Sequence, residues 1–172
     1  MSSETPLEEA KRKFAIQDVF LCDSKVWSSR TLGLGALVAD PSVQFKLDEG
    51  NECAVMEANG ANDTKMYAVQ YFVGTNVRLV AGEVHEKDPS EDKLVATIAA
   101  TFLVRYLTDT APSQEMLQAF NDHAVHHIWP YWREYVESTT TRLRVPTVVI
   151  PLRVVATPNI PTRSADQTEA KS

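Results

Sequence analysis

The chain has 172 residues, with 17 basic against 23 acidic side chains and a formal net charge of -6. That length makes one domain with a core of its own, and 44% hydrophobic residues at a mean hydropathy of -0.23 fit a soluble globular protein and exclude a disordered one. The acidic balance excludes the broad phosphate footprint of a nucleic-acid binder, which needs clustered Lys and Arg.

Cys22 and Cys53 fit no zinc spacing and no disulfide framework, so both are expected as reduced thiols. The start, Met1 to Glu9, is acidic and polar and lacks the layout of a secretory signal. The longest apolar candidate, Leu94 to Val104, is interrupted by Thr97 and Thr101, short of the ~20 residues that span a bilayer. A cytoplasmic protein without membrane insertion is the expectation. Charge is uneven: residues 1–60 carry ten acidic and six basic side chains, residues 61–112 seven and five, and residues 113–172 six and six. The excess acidity therefore sits in the first two thirds.

Residues 1–12 are expected to form a flexible segment, followed by the domain over 13–157. Phe14-Ala15-Ile16 starts an alternation that changes phase near Gln17-Asp18 and resumes at Val19 and Leu21, the mark of a bulged strand. Thr31 to Asp40 is apolar, carries Gly33 and Gly35 and has no period; it is a connection. Val43 to Asp48 alternates cleanly as a half-buried antiparallel strand, with a continuation at Cys53 and Val55 and a turn over Glu57–Asp63. Met66 to Leu79 is a long strand that places Tyr67, Val69, Tyr71 and Val73 on one face, with Gly74 as a bulge site. Leu94 to Leu107 is the fourth strand, with Leu94, Ile98, Phe102, Val104 and Tyr106 directed to the core and room for one slip.

A helix follows, capped by Ser113, with Leu117, Phe120, Ala124, Ile128, Tyr131 and Tyr135 on its apolar side. Pro130 predicts a kink or break near Ile128–Trp129, because it removes an amide donor and crowds the preceding turn. Thr147 to Ile150 is a short extended piece, and residues 158–172 read as a disordered tail. The fold class is α+β: a four-stranded antiparallel sheet with a long kinked helix packed on one face. One helix covers only part of such a sheet, so the leftover apolar face calls for a second subunit or a ligand.

Chemistry-bearing motifs are scarce. His123, His126 and His127 lie close together, and His123 and His127 fall one helical turn apart, as a zinc pair would. No glutamate base accompanies them, and helix-face histidines are the plainer reading; no metal and no cofactor is assigned. No serine sits in a hydrolase elbow, Gly33-Leu34-Gly35 lacks the third glycine of a dinucleotide loop, and the carboxylate pairs lie in polar surface stretches. The chain is read as a non-enzyme. Trp129-Pro130-Tyr131-Trp132-Arg133-Glu134-Tyr135 is the densest aromatic stretch: Tyr131 and Tyr135 are expected against the sheet, and Trp132, about 100° round the helix from Tyr131, at a subunit contact.

Ile128 to Val136, followed by Thr141-Arg142-Leu143-Arg144-Val145-Pro146 and Val148 to Leu152, resembles the SecB export-chaperone family, which shows a Pro-Tyr-x-Arg-Glu helix, a basic turn, a proline and an apolar extended piece. Phe14 to Val19 and Val43 to Asp48 resemble that family's first two strands, so the likeness runs over about residues 13–155. It implies an ATP-independent holdase, a cytoplasmic homotetramer built as a dimer of dimers. Such a protein binds unfolded or nonnative client polypeptides and keeps preproteins export-competent for the Sec translocase, docking the SecA motor on an acidic sheet surface. Some SecB-like proteins instead guard an antitoxin in a toxin–antitoxin system, and this chain fits either role; an oligomeric metal- or small-ligand-binding module using His123 and His127 is the further alternative. On this reading the client-binding candidates are Leu32, Leu34, Leu37, Val38 and Tyr131, the oligomer-interface candidates Trp129, Trp132, Val136, Ile98 and Phe102, and the acidic docking-face candidates Asp18, Asp23, Asp48 and Glu49.

Overall fold

A computed structural model describes residues 4–29, 42–47, 52–59, 64–81 and 93–152. The element order is α1 (Pro6–Lys13), β1 (Ala15–Ser28), β2 (Ser42–Leu47), β3 (Glu52–Asn59), β4 (Lys65–Val80), β5 (Leu94–Thr108) and α2 (Gln114–Leu143). All pairings are antiparallel, in the order β1-β5-β4-β2, with β3 also on β4. Among the described residues the sheet therefore has five strands, where the sequence predicts four. β2 pairs with Thr75–Val80 and β3 with Lys65–Phe72, so the two share one edge of the 16-residue β4. The sheet is four positions wide, and its last position is filled by two short strands in tandem.

α1, over Pro6–Lys13, falls almost wholly in the stretch expected as a flexible segment. Thr5 caps it, its hydroxyl accepting the Glu8 amide at 3.3 Å while the Glu8 carboxylate accepts the Thr5 amide at 3.1 Å, with Pro6 at the first helical position. β1 is bulged as its changing phase predicts, with register shifts between Ile16 and Asp18 and between Leu21 and Asp23. β3 extends to Asn59, into the stretch expected as a turn. Gly74 keeps regular register opposite Thr101; the slip between β4 and β5 falls at Leu79/Val80 instead. The expected tail, residues 158–172, and the connection carrying Leu32, Leu34, Leu37 and Val38 lie outside the described residues.

The register decides which face packs. Val69, Tyr71, Val73, Val77 and Leu79 of β4 lie opposite Tyr106, Val104, Phe102, Ile98 and Ala96 of β5, and all ten are buried. Directly opposed residues point to the same side, so these make one continuous apolar floor. α2 lies on it. Its buried residues include Met116, Phe120, Ala124, Ile128, Trp132 and Val136, a row at steps of four. Tyr131 points outward, half exposed at 49%, and Trp132 is buried at 2%.

This register corrects the interface expectation. Trp132, Val136, Ile98 and Phe102 form the core of the subunit itself, where the Phe102 and Trp132 rings meet edge to face at 6.4 Å. The mixed three-and-four spacing through Tyr131 and Tyr135 is overruled by the strict fours through Trp132 and Val136. α2 also runs unbroken through Pro130, which lies on its exposed side, where water can serve the carbonyl freed by the missing amide. Ser113 caps the start as expected, accepting the Met116 amide at 3.2 Å, and Arg144 closes the end in the left-handed region at φ 55°.

After α2 the chain turns back over it. Val145, Val148 and Ile150 are buried in alternation with exposed Thr147 and Val149. The Trp129 indole N–H donates to the Pro151 carbonyl at 2.8 Å, and Arg133 Nε donates to the Ile150 carbonyl at 2.7 Å. Trp129, expected at a subunit contact, thus anchors this strap. Among the described residues no helix is long and apolar enough to cross a membrane.

Candidate polypeptide-binding surface

α2 is a single cylinder roughly 10 Å across, and strands are spaced about 4.8 Å apart, so it cannot roof four strand positions. The apolar floor continues past it on both sides. On β1, Ile16, Leu21 and Val26 lie opposite the buried Tyr106, Phe102 and Ile98, which puts them on the helix-side face, yet they are exposed. On the other flank Val43 and Phe45 of β2 and Val55 of β3 lie opposite the buried Leu79, Val77 and Val69, and they too are exposed. Two apolar bands therefore flank the helix. β1 is also the terminal strand of the sheet order, with β5 as its one neighbour among the described strands. Such an edge offers main-chain groups to an extended polypeptide.

The opposite face is mixed. Asp18, Phe20, Asp23, Lys25 and Trp27 lie opposite Arg105, Leu103, Thr101, Ala99 and Thr97 on that side. The Asp18 carboxylate accepts from Arg105 Nη1 at 3.4 Å, and the same guanidinium lies 5.7 Å from the Phe20 ring centre. Asp23 is exposed nearby. Of the acidic docking-face candidates the structure thus places Asp18 and Asp23 on one face, beside basic Lys25 and Arg105; Asp48 and Glu49 lie outside the described residues.

On this face Lys25, Trp27, Asn76, Leu94, Thr97 and Ala99 line an open recess of about 520 Å³. Trp27, 45% exposed, offers the largest apolar surface there, and Lys25 supplies a cation. The Asn76 Oδ1 below it is buried without a hydrogen-bond partner. A recess with one aromatic wall and a few polar groups suits a peptide side chain with its adjoining backbone. Sequence reasoning passed over Trp27. The available signal was an indole on the polar phase of a bulged strand, in step with Asp23 and Lys25.

The histidines pack against the aromatic rings of the core. His127 Nδ1 lies 2.7 Å from the Tyr106 hydroxyl, and the His123 ring lies 5.5 Å from Phe120. Burial is the main cause holding both imidazoles below their ordinary pKa. Burial also pushes the Tyr71 and Tyr106 hydroxyls above the usual range, and the Tyr71 hydroxyl donates to the Leu117 carbonyl at 2.9 Å. Burial likewise raises the Cys22 and Cys53 thiols, the opposite of what a nucleophile needs. Among the described residues, no three His, Cys, Asp or Glu side chains converge on a metal position.

No protein-family model and no curated protein matches the chain. A solved structure does: a SecB-like chaperone of Mycobacterium tuberculosis in complex with a ChAD peptide from the HigA1 antitoxin. The likeness covers 90% of this chain and 99% of that one, with a TM-score of 0.57 and 20% sequence identity. An antiparallel sheet under one long helix, matched over nearly the whole of both chains, gives this protein the SecB-like fold.

Proposed function

We propose that this protein is an ATP-independent chaperone that holds a nonnative polypeptide, and that its client is an antitoxin. The observation that carries the reading is the apolar sheet face left open on both sides of α2, in a fold shared with a chaperone solved with an antitoxin peptide. The antitoxin client takes precedence over preproteins bound for SecA because of that peptide. A client segment would lay apolar side chains on Ile16, Leu21 and Val26 or on Val43, Phe45 and Val55; the Trp27 recess, on the opposite face, would be a separate contact. Each Å² of apolar area removed from water contributes ~25 cal/mol. Part of that gain is offset by ordering the client. No nucleotide chemistry is required, and release follows when the client folds or another partner takes it. The same reading makes the protein a cytoplasmic homo-oligomer, with a tetramer as the expected form, and leaves Tyr131 as an exposed client contact.

The test is titration of the purified protein with two unfolded ligands, without nucleotide. One is an antitoxin segment, the ChAD peptide of the HigA1 antitoxin; the other is an unrelated protein held unfolded by reduction and alkylation. Tighter binding of the antitoxin segment, weakened at least fivefold by the double variant Leu21→Ala, Phe45→Ala with unchanged melting, is the expected result. Equal affinity for both ligands would make it a general holdase, and binding of neither would overturn the proposal.

A further inference from the structure

The seam between α1 and α2 brings together the aromatic cluster and the histidines. Ala10 is fully buried there, and Phe14, at the end of α1, places its ring 5.0 Å from Phe120, edge-on, and 6.1 Å from Tyr106. On α2, the His123 and His127 rings are 6.3 Å apart, and His126 lies 6.2 Å from His127. Both rings that hold Phe14 also meet His127: Tyr106 at 5.8 Å, with its hydroxyl 2.7 Å from Nδ1, and Phe120 at 6.5 Å. The contact that docks α1 and the contacts of the histidines are therefore the same rings.

The charges around the seam are arranged against a proton. From α1, Lys11 acts on His123 as a like charge, and on α2 His126 and His127 do the same while Asp122 opposes them. His126 acts likewise on His127. The sheet contributes Tyr106 and Tyr71, which burial keeps neutral. Lys13 is held by Glu9 at 2.6 Å and Arg12 by Glu4 at 3.1 Å, so those two α1 cations are compensated within their own segment.

We propose that α1 is an acid-released latch: protonation of His123 and His127 beside Lys11 detaches residues 4–14 from α2 and opens the contact of Phe14 with Phe120 and Tyr106. A neutral His127 can accept the Tyr106 hydroxyl proton at Nδ1. A charged imidazole carries its own proton there and must donate, turning the hydroxyl hydrogen away. The direction follows from the lowered imidazole values in the docked state. Detachment takes Lys11 away from His123 and opens the Tyr106 and Phe120 rings beside His127 to water, moving the imidazoles towards their ordinary 6.5, so the detached state binds protons more readily. Docking is unaffected well above that pH and weakens as pH falls through it. The loss stops growing only below the lowered docked values. The released surface is apolar and aromatic, so acidification would enlarge the area open to a nonnative chain; the latch itself stands whether or not the client reading holds.

Hydrogen exchange on the full chain tests it, at pH 7.5 and 5.5, with rates corrected for the intrinsic effect of pH. The expected result is at least a tenfold loss of protection at the α1 amides from Glu9 to Phe14, with the central β4 and β5 amides unchanged. The double variant His123→Gln, His127→Gln should keep α1 protected at pH 5.5, and Lys11→Gln should move the release to lower pH. Equal α1 protection at both pH values, the same loss in the double variant, or loss in step with the sheet would each overturn the latch. A second measurement does not depend on the double variant folding. In the Phe14→Ala protein, NMR titration of both imidazoles should move up towards 6.5, and unmoved titrations would refute the coupling.

Discussion

Trp132→Ala and Tyr131→Ala remove adjacent aromatic side chains from α2, and they should differ sharply in folding stability. Trp132 is 2% exposed, meets Phe102 edge to face at 6.4 Å and stacks near Tyr135 at 6.3 Å. Truncating a buried Trp to Ala costs about 3–5 kcal/mol, from lost transfer energy plus the cavity left behind. For a chain of this size each kcal/mol lowers the melting temperature by about 2–4 °C, so the drop should be roughly 6–20 °C. Tyr131 is 49% exposed, and its truncation should stay within about 0.5 kcal/mol. Urea unfolding followed by circular dichroism measures both, at several protein concentrations so that any oligomer linkage is visible. A Tyr131→Ala cost equal to that of Trp132→Ala, or a Trp132→Ala cost below about 1 kcal/mol, would refute the register. The helix would then sit turned by about 100° on the sheet.

Other outcomes follow from single local features. Arg144 holds φ 55° at the end of α2, where a side chain is a burden. Arg144→Gly should stabilise by about 0.5–1 kcal/mol, read as a higher urea midpoint. Ser113→Ala removes the hydroxyl that accepts the Met116 amide, and should lower stability by about 1 kcal/mol in the same assay. Asp18→Ala breaks an exposed pair with Arg105 at 3.4 Å, and thermal melting should register a change no larger than about 0.5 kcal/mol.

Much of the sheet was legible because alternation maps directly onto faces. The phase change near Gln17 announced a bulge that the β1–β5 register contains, and the alternation of Val43 to Asp48 marked β2, although its apolar Val43 and Phe45 are exposed and not buried as the alternation predicts. The fifth strand was harder to see: Cys53 and Val55 continue an alternation, and the sequence carries no mark that two short pieces will line up along one β4 edge. Helix α1 had its signature in Thr5-Pro6-Leu7-Glu8, a capping box with proline at the first helical position. Its mostly charged eight residues give little apolar period to draw attention, since the buried contacts come from Ala10 and from Phe14 just beyond the helix. On α2 the aromatic density misled. Tyr131, Trp132 and Tyr135 all suit an apolar side, and the choice among them is made by the face α2 lays on the sheet, the row of fours through Trp132 and Val136.

The surface was legible only as an imbalance. A four-position sheet under one helix leaves apolar area over, and the exposed Ile16, Leu21, Val26, Val43, Phe45 and Val55 are where it lies. Which residues would be left uncovered depends on where α2 rests, and that is a tertiary fact. Trp27 differs: it lies on the face away from α2, put there by the second β1 bulge, which shifts the phase of everything after Leu21.

The central claim is that this open surface holds a nonnative chain. Native mass spectrometry of the 172-residue chain, without nucleotide, tests it most directly, with and without a client protein held unfolded by reduction and alkylation. The expected result is a homo-oligomer whose mass rises by that of the bound client, with a smaller bound fraction in the Leu21→Ala, Phe45→Ala protein. An unchanged mass with client in tenfold excess would contradict it.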